Sequence, residues 1–245
     1  MKENIYDQAS FFEKYSQMTR SVKGLEGAGE WQTLKGMLPT FQDKTVLDLG
    51  CGFGWHCRFA AEHGAKSVVG VDISEKMISK AKTMSQDYEN VTYIQSTIED
   101  MQIKERHYDV IVSSLALHYV PDFEEVANNV HKGLVKGGQF IFSVEHPIFT
   151  AQGSQDWFYD AQQEVSHFPV DHYFFEGERQ TTFLGEKVTK YHKTLTTYLD
   201  GLLKQGFQIT RVVEPKPPEY MMHTEEMKNE MRRPMMIIIS ATKYE

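Results

Sequence analysis

The residues best suited to chemistry are three glycines, Gly50, Gly52 and Gly54, which directly follow the apolar run 46–49. Glycine lets the backbone turn with a positive φ and leaves room for a ligand to approach closely. A buried strand that turns through such a loop into a helix directs free N–H groups and the positive end of the helix dipole at the ligand. The stretch therefore predicts a ligand-binding loop, although glycine turns after strands also occur without a ligand.

Two classes of ligand use such a loop, and the spacing of the glycines helps to decide between a dinucleotide and a cationic ligand. A dinucleotide fingerprint reads G-x-G-x-x-G, whereas here Trp55 takes the sixth position. Asp48 adds a carboxylate at the end of the strand, where it would repel a pyrophosphate and attract an ammonium or sulfonium group. The next predicted strand, 67–72, ends in Asp72, whose carboxylate can accept both ribose hydroxyls. Together these features favour a cationic ligand over a pyrophosphate.

At this point the chain resembles the class I S-adenosylmethionine-dependent methyltransferases, and most of all small bacterial members similar to those of quinone biosynthesis. The matching segments are VLDLGCGFG (46–54), VVGVDISEKMISKAK (68–82), YDVIVSSLALHYV (108–120) and LVKGGQFIFSVEHP (134–147). The resemblance implies an α/β fold: a Rossmann-like three-layer sandwich with a seven-stranded, mostly parallel sheet, an antiparallel last strand and an inserted cap after strand 5. It also implies S-adenosylmethionine as cofactor and S-adenosylhomocysteine as product.

The resemblance places the adenine base beside the residues that follow the third predicted strand, 91–95. Family members set an acid or amide near the adenine amino group and an apolar side chain on the ring. Thr97 stands where an aspartate is usual, so Glu99 or Asp100 is the candidate acid, and Ile98 is the candidate apolar contact. The predicted cofactor-binding residues are Tyr15, Arg20, Asp48, Gly50, Cys51, Gly52, Asp72, Ile73, Met77, Thr97, Ile98, Glu99, Ser114 and Leu115.

Residues 1–40 precede the first strand, and their aromatic residues recur at roughly helical spacing, with a second helix expected over 28–38. Packing against the domain is one explanation. The other is a helical lid, because related methyltransferases often close the cofactor pocket with an N-terminal helix. In a lid, Tyr15 or Arg20 would reach the methionine end of the cofactor, where the fork of an arginine suits a carboxylate.

Polar residues follow the fourth and fifth predicted strands, 108–113 and 139–144, at the edge of the sheet where ligands of open α/β folds collect. His118, Glu145 and His146 are therefore the candidate catalytic residues. The methyl group of a sulfonium is already activated, so a base is needed only if the acceptor must lose a proton. For His118, the alternative is a structural hydrogen bond to a neighbouring loop.

The segment 148–193 is rich in aromatic residues and histidine, and at about 45 residues it is far longer than an ordinary connection of about 2 to 6. We expect a cap with an aromatic substrate pocket, and a core or dimer role is the alternative. Its histidines lack the spacing of a compact ligand set, so no metal is predicted. The predicted division is a lid (1–40), a cofactor-binding core (41–147), a substrate cap (148–193) and the C-terminal part of the core sheet (194–245).

Between the fourth and fifth strands, the pattern predicts a helix from Pro121 through Val135, ended by Gly137 and Gly138. In the C-terminal part, strands are expected over 207–213 and 235–241.

Composition restricts the partners. The chain has 26 Lys and Arg against 34 Asp and Glu, a formal net charge of −8, and no basic block. Nucleic-acid binding normally needs clustered positive charge, so DNA and RNA methylation are disfavoured. Because no apolar stretch approaches the ~20 residues of a membrane span and the N-terminus lacks a signal-peptide core, we expect no membrane partner and a cytoplasmic location.

The sequence therefore predicts a methyltransferase that moves a methyl group to a small-molecule acceptor, with aromatic compounds as one option. In-line transfer would depend on positioning and desolvation, with base assistance from a histidine or glutamate where needed. The alternatives are a non-catalytic S-adenosylmethionine-binding protein and a nicotinamide-dependent oxidoreductase. A monomer or a homodimer is expected.

Overall fold

The computed structural model of the protein describes residues 4–244, apart from the side chain of Glu226. Residues 1–3 of the predicted lid and Glu245 of the predicted C-terminal region lie outside the described residues. The N-terminal region consists of short helices: a 3-10 helix Ile5–Asp7, α1 (Ala9–Ser16), α2 (Thr19–Val22), a 3-10 helix Gly24–Gly27 and α3 (Trp31–Lys35).

The helix predicted over 28–38 is shorter than expected, because only Trp31–Lys35 is α-helical. Gly27 and Gly29 precede it and Gly36 follows it, and glycine has a low helix propensity. The short helices still bury apolar side chains, since Phe11, Trp31 and Leu34 are each at most 2% exposed.

The central part of the chain alternates strands and helices, as β-α units do. Its elements are β1 (Thr45–Leu49), α4 (Trp55–Glu62), β2 (Ser67–Asp72), α5 (Glu75–Met84), β3 (Val91–Gln95), β4 (Tyr108–Ser114), a 3-10 helix Leu117–Tyr119, α6 (Phe123–Gly133) and β5 (Leu134–Glu145). The rest comprises α7 (Pro147–Thr150), β6 (Phe158–Tyr159), β7 (Val165–His167), β8 (Gly177–Phe183), β9 (Glu186–His192), α8 (Leu195–Lys204), β10 (Phe207–Val213), a 3-10 helix Glu219–Met221, α9 (Glu225–Glu230) and β11 (Met236–Lys243).

Seven strands form one sheet in the order β10-β11-β5-β4-β1-β2-β3. Strands β1 to β5 pair in parallel, and β11 runs antiparallel to both β5 and β10. The segment between β5 and α8 adds two antiparallel hairpins, β6–β7 and β8–β9, outside this sheet. The predicted fold class is therefore confirmed, including the antiparallel last strand.

Each face of the sheet carries its own apolar core, which makes three layers. On β1, Val46 packs with α3 and α4 on one face, while Leu47 and Leu49 pack with α6 and α8 on the other. This alternation is the period of two that a β-strand imposes. Asp48 lies on the same side of the strand as Val46, so its carboxylate points into a buried layer.

Helix α6 ends at Gly133, two residues earlier than predicted, and Gly137 and Gly138 lie within β5 instead of capping the helix. The last carbonyl groups of the helix are taken by other donors. Lys243 Nζ donates to the His131 and Leu134 carbonyls at 2.7 and 2.9 Å, while two backbone N–H groups, from residues 106 and 107, reach the next carbonyls. Because these long-range donors satisfy the end of the helix, it needs no glycine cap.

Within residues 4–244, no helix is both long enough and apolar enough to cross a membrane.

Candidate active site

The glycine loop lies at the topological switch point of the sheet. From β1 the chain moves outward to β2 and β3, and it then returns to β4 on the other side of β1. Ligands of open α/β sheets bind beyond the carboxyl ends of the strands at this point. The N–H groups of Gly50 and Cys51 donate to the Val71 carbonyl at 2.8 and 2.9 Å, which fixes the loop against the end of β2.

The three loop glycines all have positive φ but serve different ends. A Cβ atom on Gly50 would lie 2.3 Å from Cβ of Ala116, and one on Gly54 would lie 2.1 Å from the Tyr93 hydroxyl oxygen. A Cβ on Gly52 would meet no atom of the described chain within 4 Å. Gly50 and Gly54 thus permit close packing, whereas Gly52 faces open space.

Asp72 is held at the edge of that space. Its Oδ2 accepts the Gly52 N–H at 2.8 Å, and its Oδ1 accepts the Ser74 N–H at 2.9 Å. Burial raises the pKa of Asp72 to about 6, and these hydrogen bonds oppose the rise. Each carboxylate oxygen keeps further acceptor capacity, because an ionised carboxylate has about four lone-pair sites.

A cavity of about 80 Å³ opens beside the loop. Six of the predicted cofactor residues line it: Tyr15, Arg20, Gly50, Cys51, Gly52 and Ser114. The structure therefore brings the N-terminal region, the glycine loop and the end of β4 to one place.

The cavity also contains an ion pair that the sequence did not reveal. Arg20 Nη2 pairs with Glu30 Oε1, and Glu30 is only 3% exposed. The second oxygen, Glu30 Oε2, is buried and has no partner among the described residues. Glu30 had no sequence signal, because a single acid in a polar stretch resembles any surface glutamate. Arg20 can thus bind an anionic group, and the unpartnered oxygen of Glu30 beside it can bind a cationic group.

Asp48 lies beneath the loop, 1% exposed, and it does not line the cavity. The Cys57 thiol lies 3.3 Å from Asp48 Oδ2 and donates to it, while Oδ1 has no partner among residues 4–244. Burial raises the pKa of Asp48 to about 7. A buried carboxylate of this kind is partly protonated at neutral pH, so its charge is weaker than the sequence suggested.

The other predicted cofactor residues do not line this cavity. Ile98 approaches the glycine loop most closely, since its Cδ1 lies 3.8 Å from the place of a Cβ on Gly50. Thr97 Oγ1 donates to Asp100 Oδ2 at 2.7 Å in the same segment, which also holds Glu99. Leu115 has a φ of 53° and binds Ser143 through its N–H. Finally, Ile73 is half-buried after β2, and Met77 is fully buried in α5.

His118 is buried in the 3-10 helix that follows β4, 2% exposed. Burial lowers its pKa to about 4, so the imidazole is neutral at pH 7. Its Nδ1 accepts the Glu145 N–H at 3.5 Å, a long hydrogen bond. Its ring contacts Tyr119, whose hydroxyl lies 3.1 Å from that of Tyr6, and the Tyr6 ring contacts the cavity-lining Tyr15. A line of rings thus leads from His118 to the cavity.

Glu145 forms the centre of a buried polar network at the end of β5. Lys190 Nζ from β9 lies 2.6 Å from Glu145 Oε1, and Gln155 Nε2 donates to Oε2 at 2.7 Å. Lys190 also donates to Gln155 Oε1 at 3.0 Å. Burial raises the pKa of Glu145, but nearby positive charge, above all the permanent charge of Lys190, and these hydrogen bonds lower it below its ordinary value. Glu145 is therefore ionised and fully paired.

His146 caps α7, where its Nδ1 accepts the Ile148 N–H at 3.1 Å. Its Nε2 lies 2.9 Å from Glu214 Oε1, close enough for an ion pair but without hydrogen-bond alignment. Burial lowers the pKa of His146, and Glu214 opposes this. The side chain is 1% exposed, so these contacts give it a structural role.

The N-terminal region is attached to the core by polar contacts. Asp7 Oδ1 accepts from Ser74 Oγ at 2.5 Å and from the Lys76 N–H at 3.0 Å, so it caps the start of α5. Lys14 donates to the Leu184 carbonyl at 3.0 Å, at the tip of the β8–β9 hairpin. Both attachments flank the site. Among residues 4–244, the site included, no group of three or more His, Cys, Asp or Glu residues could hold a metal ion.

Comparison with known proteins agrees with this geometry. Residues 47–142, from β1 to the middle of β5, match the family model described as a methyltransferase domain. A crystal structure from Listeria monocytogenes, assigned to the S-adenosylmethionine-dependent methyltransferases, is 55% identical with a TM-score of 0.86, covering 91% of this chain and 100% of that chain. The chain belongs to the S-adenosylmethionine-dependent methyltransferases. The predicted cofactor is thereby confirmed.

The methyltransferase is also similar to two further proteins. An S-adenosylmethionine-dependent methyltransferase from Mesorhizobium loti is 41% identical with a TM-score of 0.82, over 89% of this chain and 100% of that chain. The ubiquinone biosynthesis O-methyltransferase of Coxiella burnetii is 34% identical over 113 residues. That match covers 46% of this chain and 48% of the relative, so the chain spans about half of its length.

Proposed function

We propose that the protein transfers a methyl group from S-adenosylmethionine to a small organic acceptor that binds beyond the carboxyl ends of β4 and β5, beneath the N-terminal region. The observation that carries this proposal is the continuous line from the cavity at Gly52 and Ser114, through Tyr15 and Tyr6, to Tyr119 and His118. Aromatic walls and buried polar groups are typical of sites for small molecules.

The residues present fit the cofactor. Gly52 leaves open space beside the fixed carboxylate of Asp72, which we assign to the ribose hydroxyls. We assign Arg20 to the carboxylate of the methionine end, and the unpartnered Glu30 Oε2 to its ammonium group. Ile98 borders the loop, and we assign it to the adenine ring, with Thr97 and Glu99 at the edge of the base.

When bound, the cofactor supplies an activated methyl group, so the chain has to position the acceptor and exclude water. We assign this work to the tyrosines and His118. A neutral His118 whose Nδ1 accepts an N–H carries its proton on Nε2, which makes Nε2 a donor that can orient an acceptor oxygen or nitrogen. Base assistance by His118 would need its other tautomer. We assign Glu145 and His146 a supporting role in the structure around the acceptor. Glu145 pairs with Lys190, and His146 caps α7.

The test starts with calorimetric binding of S-adenosylmethionine and S-adenosylhomocysteine. Loss of a charged hydrogen-bond acceptor should weaken binding by roughly tenfold to a hundredfold in Asp72→Asn. The matched control is Asp87→Asn, an exposed aspartate on the loop before β3, which should bind as wild type does. Unchanged affinity in Asp72→Asn would refute the assigned role.

Turnover is then followed as release of S-adenosylhomocysteine with a panel of phenols, catechols and hydroquinones. Turnover with at least one acceptor that falls in Tyr119→Ala, while cofactor affinity is kept, would support the proposed acceptor site. A protein that binds both cofactor forms and yet methylates no member of an extended small-molecule panel would instead support the non-catalytic alternative.

A further inference from the structure

A second cavity, of about 240 Å³, adjoins the cofactor cavity, and the function proposed above does not use it. Trp55 and Leu25 line both cavities. The remaining walls are the rings of Trp31 and Phe59 and the charged side chains of Lys23, Glu26, Arg58 and Glu62. The cavity thus combines flat apolar surfaces with groups of both charges.

Arg58 is the unusual member of this set. It is 6% exposed, and its Nη1 donates to the Phe53 carbonyl at 2.7 Å and to Ser85 Oγ at 3.4 Å. Its Nη2 is buried and has no acceptor among the described residues. None of the ion pairs within residues 4–244 includes Arg58. A buried cation without a counter-charge is expensive, so its presence here calls for an anionic partner.

A second donor in the same wall lacks an acceptor. The indole Nε1 of Trp55 is buried and unpartnered within the described chain, and the Arg58 guanidinium lies 4.4 Å from the centre of the Trp55 ring. Two N–H donors of neighbouring side chains therefore lack oxygen acceptors. A carboxylate can satisfy both, because each of its oxygens accepts hydrogen bonds.

The acids in the wall already have donors. Glu26 accepts from Trp31 Nε1 and from Gln32 Nε2, each at 3.1 Å, and Glu62 Oε1 accepts from the Tyr88 hydroxyl. The groups of this cavity that lack a hydrogen-bond partner are consequently donors, so a ligand would have to supply the acceptors. Lys23 adds a second positive charge to the lining of the cavity.

We propose that this cavity is a binding site for a small organic carboxylate with a flat apolar body, about the size of benzoate. Its carboxylate takes the free N–H groups of Arg58 and Trp55, and its ring packs among Trp31, Phe59 and Leu25. The volume lies below the range of about 300–1,000 Å³ that holds drug-sized ligands, so only a small molecule fits.

The site also contacts the N-terminal region. Gly24 has a φ of 64°, and a Cβ on it would lie 2.7 Å from the Trp55 ring, so the backbone of this region rests directly on the indole. A carboxylate that fixes Trp55 leaves the cofactor cavity free. It should therefore bind together with the cofactor and not in competition with it.

The test uses benzoate as the probe and the indole N–H resonances of the protein as the readout. The chain has three tryptophans, of which Trp31 and Trp55 line the cavity and Trp157 lies outside it, as an internal reference. The titration is run with saturating S-adenosylhomocysteine, and a Trp55→Phe variant assigns the resonance. We expect the Trp55 signal to shift saturably with benzoate while the Trp157 signal stays in place.

Two comparisons test the chemistry. Benzyl alcohol, a neutral molecule of similar size, should bind at least about tenfold more weakly, because a hydrogen bond to a charged group is worth about 1.5–3 kcal/mol. Arg58→Gln should weaken benzoate binding by a similar factor. Arg106→Gln removes the same charge from an exposed arginine remote from the cavity and should leave the affinity unchanged.

The proposal is overturned if benzoate gives no saturable shift, if benzyl alcohol or inorganic phosphate binds as well as benzoate, or if Arg58→Gln binds as wild type does. Displacement of benzoate by S-adenosylhomocysteine would also overturn it, because the probe would then occupy the cofactor cavity at Arg20. If Arg58→Gln does not fold, the comparison of benzoate with benzyl alcohol on the wild-type protein still decides the matter. Failure of this proposal leaves the proposed transferase function intact.

Discussion

Replacement of Gly50 by alanine tests whether the loop is held by close packing. Gly50 and Gly137 share a φ of 78°, but only a Cβ on Gly50 would meet a neighbour, Ala116, at 2.3 Å. A Cβ on Gly137 would meet nothing within 4 Å in the described chain. Gly137→Ala should therefore lose only the conformational term of about 1–2 kcal/mol in the free energy of unfolding. Gly50→Ala adds overpacking of about 1–3 kcal/mol, so its total is roughly 2–5 kcal/mol.

The assay is equilibrium urea denaturation of both variants, with the free energy of unfolding extrapolated to water. Because the two glycines have the same φ, the conformational cost of the alanine is expected to cancel between the two variants. The difference between their free energies of unfolding then measures the contact with Ala116. Gly52→Ala completes the set: with a φ of 52° and open space around it, it should be about as stable as Gly137→Ala but bind S-adenosylhomocysteine more weakly. Equal stability of Gly50→Ala and Gly137→Ala would refute the packing role of Gly50.

Two further predictions concern buried charges. Lys190→Met leaves Glu145 buried without its partner and should lower the free energy of unfolding by about 3–5 kcal/mol. Adding Glu145→Gln to this variant should recover much of the loss. Urea denaturation of the single and the double variant checks this, and a small loss in Lys190→Met would contradict it. Burial raises the pKa of Asp48 from 3.8 to about 7, so the folded state binds more protons than the unfolded state between these values, and stability from this group is lost as the pH rises through them. Asp48→Asn should therefore gain stability relative to wild type between pH 4 and pH 8, by up to roughly 4 kcal/mol, and a pH-independent difference would refute the shift.

Local patterns in the sequence were enough to predict the elements of the core. The bounds of β2 and β3 agree with the predicted strands, because short apolar runs between turn residues leave little choice. The end of α6 was predicted two residues too late, since Lys243 binds carbonyl groups at this end from 109 and 112 positions away along the chain. No local pattern contains such a donor.

The contacts of the candidate site also divide into those that the sequence could predict and those that it could not. Gly52 and Asp72 could be placed together because strand order and spacing bring the ends of β1 and β2 side by side. The pairing of Lys190 with Glu145 joins residues 45 positions apart. Glu30 meets Arg20 because the chain turns through the 3-10 helix Gly24–Gly27 between them. These contacts depend on tertiary packing, for which a single sequence carries no signal.

The segments around the proposed acceptor site differ physically from the sheet. Strands β1, β4 and β5 lie in the two large apolar cores of the sheet. The N-terminal region near α1 and the β8–β9 hairpin share a much smaller apolar cluster around Ile5, Phe11 and Val188, and they are attached in addition through polar contacts such as those of Asp7 and Lys14. Most of these contacts contribute only about 1 kcal/mol each, since they replace hydrogen bonds to water. Segments attached in this way can open locally at low cost while the core stays folded. We therefore expect amide hydrogen exchange in residues 5–30 and 177–192 to be faster than in β1, β4 and β5, and to slow when S-adenosylhomocysteine binds.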